Sequence, residues 1–158
     1  MEPGRALSNV EIDAHFRGEK HYGGCLAKDQ LKGKKPGGKF WVINLQDQNG
    51  GDRRGSHWVC IIDCAIPDRN RDMCIYYDPF GVAPHQTCRE FMAKSDKLAV
   101  WCRDEHQAVS SSACGWYCIR IIEAILNSTP YEKLFDGLLK EENYAHNEKF
   151  ATSLKLKK

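Results

Sequence analysis

The chain has 158 residues, of which 42% are hydrophobic and 28% charged, and 23 Lys and Arg against 21 Asp and Glu leave a net charge of +2. This length suits one domain with its own core, and this balance excludes a wholly disordered chain. The small net charge excludes a protein that is basic overall, as many nucleic-acid-binding domains are. The eight cysteines are compatible with a disulfide framework, a zinc module or a thiol enzyme.

The compartment decides among these uses of cysteine. Residues 1–13 contain no apolar core of a secretory signal, and the apolar run near residues 58–62 is far shorter than the ~20 residues of a membrane span. We therefore expect a protein that is neither secreted nor in a membrane, in a reducing compartment that keeps its cysteines unpaired. Residues 1–158 are expected to form a single domain with a basic tail from about residue 152.

Apolar runs and turn residues predict the elements in chain order. Ser8 and Glu11 have the spacing of a capping box for a first helix, with Val10, Ile12 and Phe16 on its apolar face. The pattern then predicts a strand at 40–45, strands at 57–64 and 73–77 that form a hairpin, a helix at 84–96 and a strand at 98–102.

The segment from residue 113 to residue 126 is apolar on nearly all sides, which is typical of a helix buried in the centre of a domain. Pro130 is expected in the first turn of a further helix that runs to about residue 142, and residues 154–158 are expected to be a frayed tail. The predicted fold is therefore α+β, with a mixed or antiparallel sheet packed against the central helix.

A zinc site is a weaker explanation of the cysteines. Cys60 and Cys64 have a suitable spacing, but four residues along a strand separate them by roughly 13 Å. Cys114 and Cys118 lie one helical turn apart, yet the sequence supplies no second local pair to complete a site. We expect no metal, and we interpret most of the cysteines as small buried apolar residues.

Cys114 differs from the other cysteines because it begins the predicted central helix, after the serines at 110–112 and before Gly115. The unpaired amides and positive dipole of a helix N-terminus favour a thiolate and can hold an oxyanion. Gly115 would let a substrate backbone approach closely. A cysteine at a helix start is not specific evidence by itself.

Three further residues could complete a thiol site. His57 opens a predicted strand and can take the thiol proton, and Asp78 ends the neighbouring strand and can orient the imidazole. Gln107, seven residues before Cys114, offers a neutral donor for an oxyanion. Each has a simpler interpretation: a strand-end histidine, a turn aspartate before Pro79 and a solvated loop glutamine.

The combination resembles the family of the adenovirus maturation protease, adenain, and the wider superfamily of ubiquitin-like-protein-processing cysteine proteases. The motifs that carry this resemblance are His57-Trp58, Asp78-Pro79-Phe80-Gly81, Gln107 and Ser111-Ser112-Ala113-Cys114-Gly115, in this order. Segments 7–12, 22–31 and 42–45 also resemble proteases of adenovirus-like viruses and virus-like transposons. The resemblance covers roughly residues 7–126; the adenovirus enzyme has Glu in place of Asp78 and is longer at its C-terminus, whereas cellular relatives have Asp.

The resemblance implies a papain-like or ubiquitin-like-protease fold and a Cys-His-Asp triad with Gln107 in the oxyanion hole. It also implies a viral endopeptidase that cleaves virion precursor proteins at Gly-containing sites, in the host nucleus or cytoplasm and in the virion. The expected substrate contacts are Trp58, Gly55, Gly115 and Asp29. Two alternatives stay open: an isopeptidase that removes ubiquitin or a related modifier, and a non-enzymatic binding module on the same scaffold.

The resemblance also raises the question of activators, because adenain is stimulated by DNA and by a peptide that forms a disulfide with an upstream cysteine. Neither Cys88 nor Cys102 has the spacing of that cysteine, so we expect no peptide cofactor, and the chemistry itself requires none. Two basic clusters could bind DNA: Lys32, Lys34, Lys35, Lys39, Arg53 and Arg54, and Lys155, Lys157 and Lys158. The simpler interpretation is that these residues lie on loops and a tail and contact only solvent. The expected partners are polypeptide substrates, with no membrane, and the protein is expected to be a monomer.

Overall fold

The structure is a computed structural model that describes residues 5–46, 57–63, 73–108, 110–138 and 144–157. The strands within these ranges form one mixed sheet in the order β1-β2-β3-β4-β5, parallel at β1–β2 and β4–β5 and antiparallel between. The strands are β1 (Tyr22–Ala27), β2 (Phe40–Asn44), β3 (Trp58–Ile62), β4 (Met73–Tyr77) and β5 (Leu98–Trp101). The helices are α1 (Asn9–His15), α2 (Gln86–Met92), α3 (Cys114–Leu126) and α4 (Tyr144–Thr152), with 3₁₀ turns at Lys28–Leu31 and Tyr131–Lys133.

Helices cover both faces of the sheet. Along β3, Trp58, Cys60 and Ile62 belong to the apolar cluster around α3, whereas Val59 and Ile61 belong to the cluster around α2. This alternation follows from the period of two of a strand. Nine of the 13 residues of α3 are buried, so the prediction of a mixed sheet packed against a central buried helix is confirmed. None of the described helices is long and apolar enough to span a membrane.

The first helix shows the predicted capping box: the Glu11 amide donates to Ser8 Oγ and the Ser8 amide donates to Glu11 Oε1, both at 3.2 Å. Ile12 and Phe16 are buried as expected, but the assignment of Val10 to the apolar face is wrong, because its exposed fraction is 68%. Two residues of helix rotate the side chain by about 200°, so Val10 points away from Ile12.

Strand β1 was not expected, because Gly23 and Gly24 interrupt the apolar pattern. A Cβ on Gly23 would lie 2.4 Å from Cε2 of the Trp41 indole, so the ring of the neighbouring strand occupies the space of a side chain. The register shifts between Tyr22 and Gly24. Gly23 therefore belongs to a strand in which its missing side chain makes room for Trp41.

The segment that follows α3 departs from the prediction. Residues 131–133 form a 3₁₀ turn and residues 134–137 form turns, so the helix expected from Pro130 is wrong over the described residues; its end, at 139–142, lies outside them. A Cβ on Gly137 would lie 2.2 Å from the Phe150 ring of α4. The frayed tail is also wrong, because Leu154 and Leu156 pack on the core and the Lys157 amide donates to His15 Nδ1 at 2.9 Å.

Candidate active site

Cys114 lies at the first position of α3, where the helix meets the start of β3. Its side chain is buried, and its Sγ accepts a hydrogen bond from the Trp58 amide at 3.2 Å. The sulfur therefore lies at the start of a helix with a main-chain donor directed at it. The hydrogen bond from the Trp58 amide was not predicted from the sequence, because only the packing of α3 against β3 brings this amide to the sulfur.

His57 and Asp78 are brought together by the register of the β3–β4 hairpin. Cys60 pairs with Tyr77, the last residue of β4. Asp78, which follows β4, therefore lies near the start of β3. His57 Nε2 and Asp78 Oδ1 lie 2.6 Å apart, and the His57 ring stacks on Phe80 with 4.5 Å between centroids. The carboxylate therefore orients the imidazole, and Phe80 covers one of its faces.

The turn after β4 holds the Asp78 carboxylate in place. The Phe80 amide donates to the same Oδ1 atom at 2.8 Å, and the Gly81 amide donates to the Asp78 carbonyl oxygen at 2.8 Å. Gly81 has a φ of +73°, and a Cβ there would lie 2.7 Å from the Arg103 carbonyl oxygen. Only glycine fits this turn, because both the left-handed backbone and the close approach exclude a side chain.

The electrostatics of the site favour a charged His57. Burial lowers the pKa of His57, but the hydrogen bond and charge of Asp78 and those of Cys114 outweigh it and raise the pKa to about 9. Because Nε2 is bonded to Asp78, Nδ1 is the ring nitrogen that remains to exchange a proton with the Cys114 thiol. At neutral pH this geometry supports an imidazolium beside the Cys114 sulfur.

Gln107 is placed by two sets of hydrogen bonds. The His106 and Gln107 amides donate to the Pro79 carbonyl oxygen at 2.8 and 3.0 Å, which fixes the Gln107 loop on the turn after Asp78. The buried side chain donates from Nε2 to Ser111 O at 3.0 Å and Ser111 Oγ at 3.2 Å. The amide is thus held beside the segment that leads into Cys114.

Trp58 and Gly115 also lie beside the nucleophile. Trp58 Nε1 donates to the Leu7 carbonyl oxygen at 2.9 Å. A Cβ on Gly115 would lie 3.2 Å from Leu7 Cδ1 and 3.3 Å from Trp58 Cδ1. Their close packing explains why residue 115 is small, and their contact with substrate stays a prediction.

Of the other two expected substrate contacts, Asp29 is farther from the site. Asp29 is exposed on the 3₁₀ turn after β1. Since Ala27 pairs with Asn44, and Asn44 with Trp58, this turn lies at the same end of the sheet as His57 but two strands away. Gly55 lies outside the described residues.

Four of the other described cysteines lie in surroundings that disfavour the thiolate. Burial, as the main cause, raises the pKa of Cys74 and of Cys88 to about 12, and it also raises the pKa of Cys25 and of Cys118. These thiols stay protonated at neutral pH and are therefore weak nucleophiles. All seven cysteines within the described ranges are free thiols, and Cys64 lies outside those ranges.

One group in the described part of the chain has the composition of a transition-metal site. Cys102, Asp104 and His106 each offer a ligand atom, and these atoms lie within 4.8 Å of one another. His106 Nδ1 and the Tyr77 hydroxyl lie 2.9 Å apart, which fixes the ring. Cys60 and Cys64 are expected from the sequence to lie too far apart to share a metal, and Cys64 lies outside the described residues.

Comparison with known proteins gives a likeness in structure alone. No protein-family model and no curated protein matches the sequence. The crystal structure of the ASFV pS273R protease matches 97% of this chain and 68% of its own, with 15% identity and a TM-score of 0.64. The chain shares the fold of a protease. The structure of the Se-Met form of the same protease matches 74% of this chain and 44% of its own, with 17% identity and a TM-score of 0.50.

Proposed function

We propose that this chain is a cysteine peptidase with Cys114 as nucleophile and His57 as its acid–base partner. The observation that carries the proposal is the position of His57, which bonds Asp78 at 2.6 Å through Nε2 and lies close enough to Cys114 for the thiol to raise its pKa. An oriented imidazole between a carboxylate and a thiol is the arrangement that activates a nucleophilic cysteine. The fold shared with the ASFV pS273R protease supports the proposal.

The reaction proceeds in two balanced halves. The Cys114 thiolate attacks the carbonyl carbon of the scissile peptide, and a C–S bond forms as the C=O electrons move to oxygen. The tetrahedral intermediate collapses, the C–N bond breaks, and the His57 imidazolium gives its proton to the leaving amine. A water molecule then loses a proton to His57 and attacks the thioester, which releases the carboxylic acid and restores the thiolate with its imidazolium partner.

The oxyanion of each intermediate is assigned to two donors, the Cys114 main-chain amide and the Gln107 side-chain amide. The first amides of a helix have no intrahelical acceptor, so the Cys114 amide is suited to this role. The Gln107 nitrogen carries two hydrogens; the assignment requires that one of them is shared between Ser111 O and Ser111 Oγ, so that the other is left for the oxyanion. A neutral donor stabilises the oxyanion without drawing charge from the thiolate.

For the substrate, we propose precursor proteins of a virus, cleaved at Gly-containing sites. Two observations support this: the motif resemblance to adenain-like proteases and the fold shared with the ASFV pS273R protease. DNA binding stays an untested alternative: the described lysines at 32, 34, 35 and 39 are exposed, and exposed lysines are common without a nucleic acid.

The test is covalent labelling with peptide electrophiles that end in Gly-Gly, followed by mass-spectrometric mapping of the modified residue. We expect one label, on Cys114, that is absent from Cys114→Ala. A label spread over several cysteines, or one that persists in Cys114→Ala, would refute the assignment. A parallel reaction with ubiquitin or a ubiquitin-like protein bearing a C-terminal electrophile tests the isopeptidase alternative, which predicts faster labelling by the whole modifier than by its last residues.

A further inference from the structure

Helix α4 lies outside the part of the sequence that carries the family resemblance, yet it contacts the segment that holds Gln107. Tyr144, Asn147 and Glu148 are spaced i, i+3 and i+4 and therefore share one face of α4. All three donate to, or accept from, residues of segment 105–111. We call this segment the oxyanion loop, because it contains the proposed oxyanion donor.

The three contacts differ in kind. The Tyr144 hydroxyl donates to Glu105 Oε1 at 3.0 Å, and Asn147 Nδ2 donates to the His106 carbonyl oxygen at 3.0 Å. Asn147 is fully buried. The Glu148 carboxylate accepts from Ser111 Oγ, with its two oxygens at 3.0 and 2.9 Å. Helix α4 thus holds the oxyanion loop at both of its ends.

The Ser111 hydroxyl connects Glu148 to the proposed catalytic machinery. Its oxygen accepts from Gln107 Nε2 at 3.2 Å and from the Ala113 amide, one residue before the nucleophile, at 3.1 Å. A hydroxyl has one proton and two lone pairs. Since Glu148 takes the proton, both lone pairs are directed to the two N–H donors, and the hydroxyl cannot turn its proton against Gln107.

Tyr117 ties the same carboxylate to the central helix. Its hydroxyl donates to Glu148 Oε1 at 3.0 Å. Burial, and after it the charge of Glu148, raises the pKa of Tyr117, so the hydroxyl stays protonated and remains a donor. Glu148 therefore joins three parts of the fold: helix α4, the oxyanion loop and helix α3, which begins at Cys114.

We propose that Glu148 is a positioning residue that orients the oxyanion donor Gln107 through the Ser111 hydroxyl. The inference rests on the proposed function, because it assigns Glu148 a part in the same reaction. A role in stability alone would affect every property of the folded site equally. A positioning role affects only the steps in which an oxyanion develops.

Two reactions of the same thiol separate these roles. Turnover of a peptidyl-Gly-Gly-aminomethylcoumarin substrate passes through an oxyanion, whereas alkylation of Cys114 by iodoacetamide displaces iodide at carbon and forms none. In Glu148→Ala we expect kcat to fall about 10- to 100-fold, the scale of a misplaced catalytic group. We expect KM and the alkylation rate of Cys114, with its pH profile, to be unchanged.

Three further variants sharpen the test. Glu148→Gln retains an acceptor oxygen for Ser111 and should keep kcat within about threefold of wild type. Ser111→Ala removes the connecting hydroxyl but leaves Glu148, and should reproduce the loss in kcat even if Glu148→Ala does not fold. Glu132→Ala removes a carboxylate that is exposed on the 3₁₀ turn and should match wild type.

Hydrogen exchange of the amides of residues 105–113 reports the contact between Glu148 and Ser111 without any substrate. The exchange should be faster in Glu148→Ala than in wild type. Unchanged exchange, an unchanged kcat in folded Glu148→Ala and Ser111→Ala, or a parallel fall in kcat and alkylation overturns the positioning role. A wild-type chain whose Cys114 is alkylated but which cleaves no peptide refutes the proposed function instead. The two failures are therefore distinguishable.

Discussion

The Pro79 carbonyl oxygen accepts a hydrogen bond from the Gln107 amide at 3.0 Å. Pro79 follows Asp78, which orients His57, and Gln107 is the proposed oxyanion donor. Together with the His106 amide, which donates to the same oxygen at 2.8 Å, this main-chain contact fixes the loop of the proposed oxyanion donor against the turn that carries Asp78. The proposed site is preorganised by the backbone of two loops rather than by side chains alone.

Replacement of the nucleophile tests the whole assignment. Cys114→Ala should lower turnover of the Gly-Gly peptide at least about 10⁴-fold, because removing a nucleophile costs this much or more. The circular dichroism spectrum and the thermal midpoint should change little, since Ala fits the same buried position. Cys118→Ala, one turn deeper in α3, is the matched control and should keep its activity. Equal losses in both variants would contradict a special role for Cys114.

The pH dependence should report the His57 pair. Its pKa is raised to about 9, so the imidazolium is present at neutral pH and is lost as the pH rises through about 9. Turnover should therefore decline above that pH, because the leaving amine then lacks its proton donor. Rates measured from pH 6 to 10.5, together with the titration of the His57 ring protons by NMR, give this value directly.

Asp78→Asn removes the negative charge that helps to raise the pKa of His57. We expect the alkaline decline in turnover, and the His57 titration, to move to lower pH, and Cys114 alkylation at pH 7 to slow because less of the ion pair is formed. Asp136→Asn, at an exposed position, is the control. A titration of His57 that is the same in Asp78→Asn and wild type would show that the carboxylate does not set the charge of the site.

Gln107→Ala removes a proposed oxyanion donor and should lower kcat by roughly 10²–10³. The alkylation of Cys114 should be unaffected, because that reaction develops no oxyanion. Gln86→Ala, at an exposed position on α2, is the control and should behave as wild type. If Gln107→Ala loses less than about threefold in kcat, the oxyanion hole must be built from other donors.

Gly81→Ala tests the turn that carries Asp78. The left-handed backbone costs about 1–2 kcal/mol with a side chain, and the clash of Cβ with Arg103 O at 2.7 Å and Asp104 O at 2.8 Å adds ~1–3 kcal/mol. Gly33→Ala has a similar φ of +81° but nothing within 4 Å of its Cβ, so it carries the first cost only. Urea unfolding should show the larger loss at Gly81, and equal losses would exclude the close approach as its cause.

Local patterns in the sequence predicted much of the fold. Strand β4 was predicted at 73–77 and lies there, because a short β-rich apolar run bounded by turn residues favours a strand. The two faces of β3 and the capping of α1 by Ser8 follow from the period of each element and from the nearest polar side chains. The four residues of the proposed site were also chosen from sequence, with the help of a motif resemblance.

Contacts between distant parts of the chain were beyond those patterns. Gly23 lies in a strand beside Trp41, whose ring occupies the space that a side chain on residue 23 would need. Gly137 lies in a turn against the ring of Phe150. The donor from Trp58 to the Cys114 sulfur and the carboxylate of Glu148 on Ser111 join residues 56 and 37 positions apart. The sequence by itself determined the periodic elements and the residue types of the site, whereas only the tertiary structure decided which donors and acceptors meet, because pairing depends on how the elements pack and not on their local propensities.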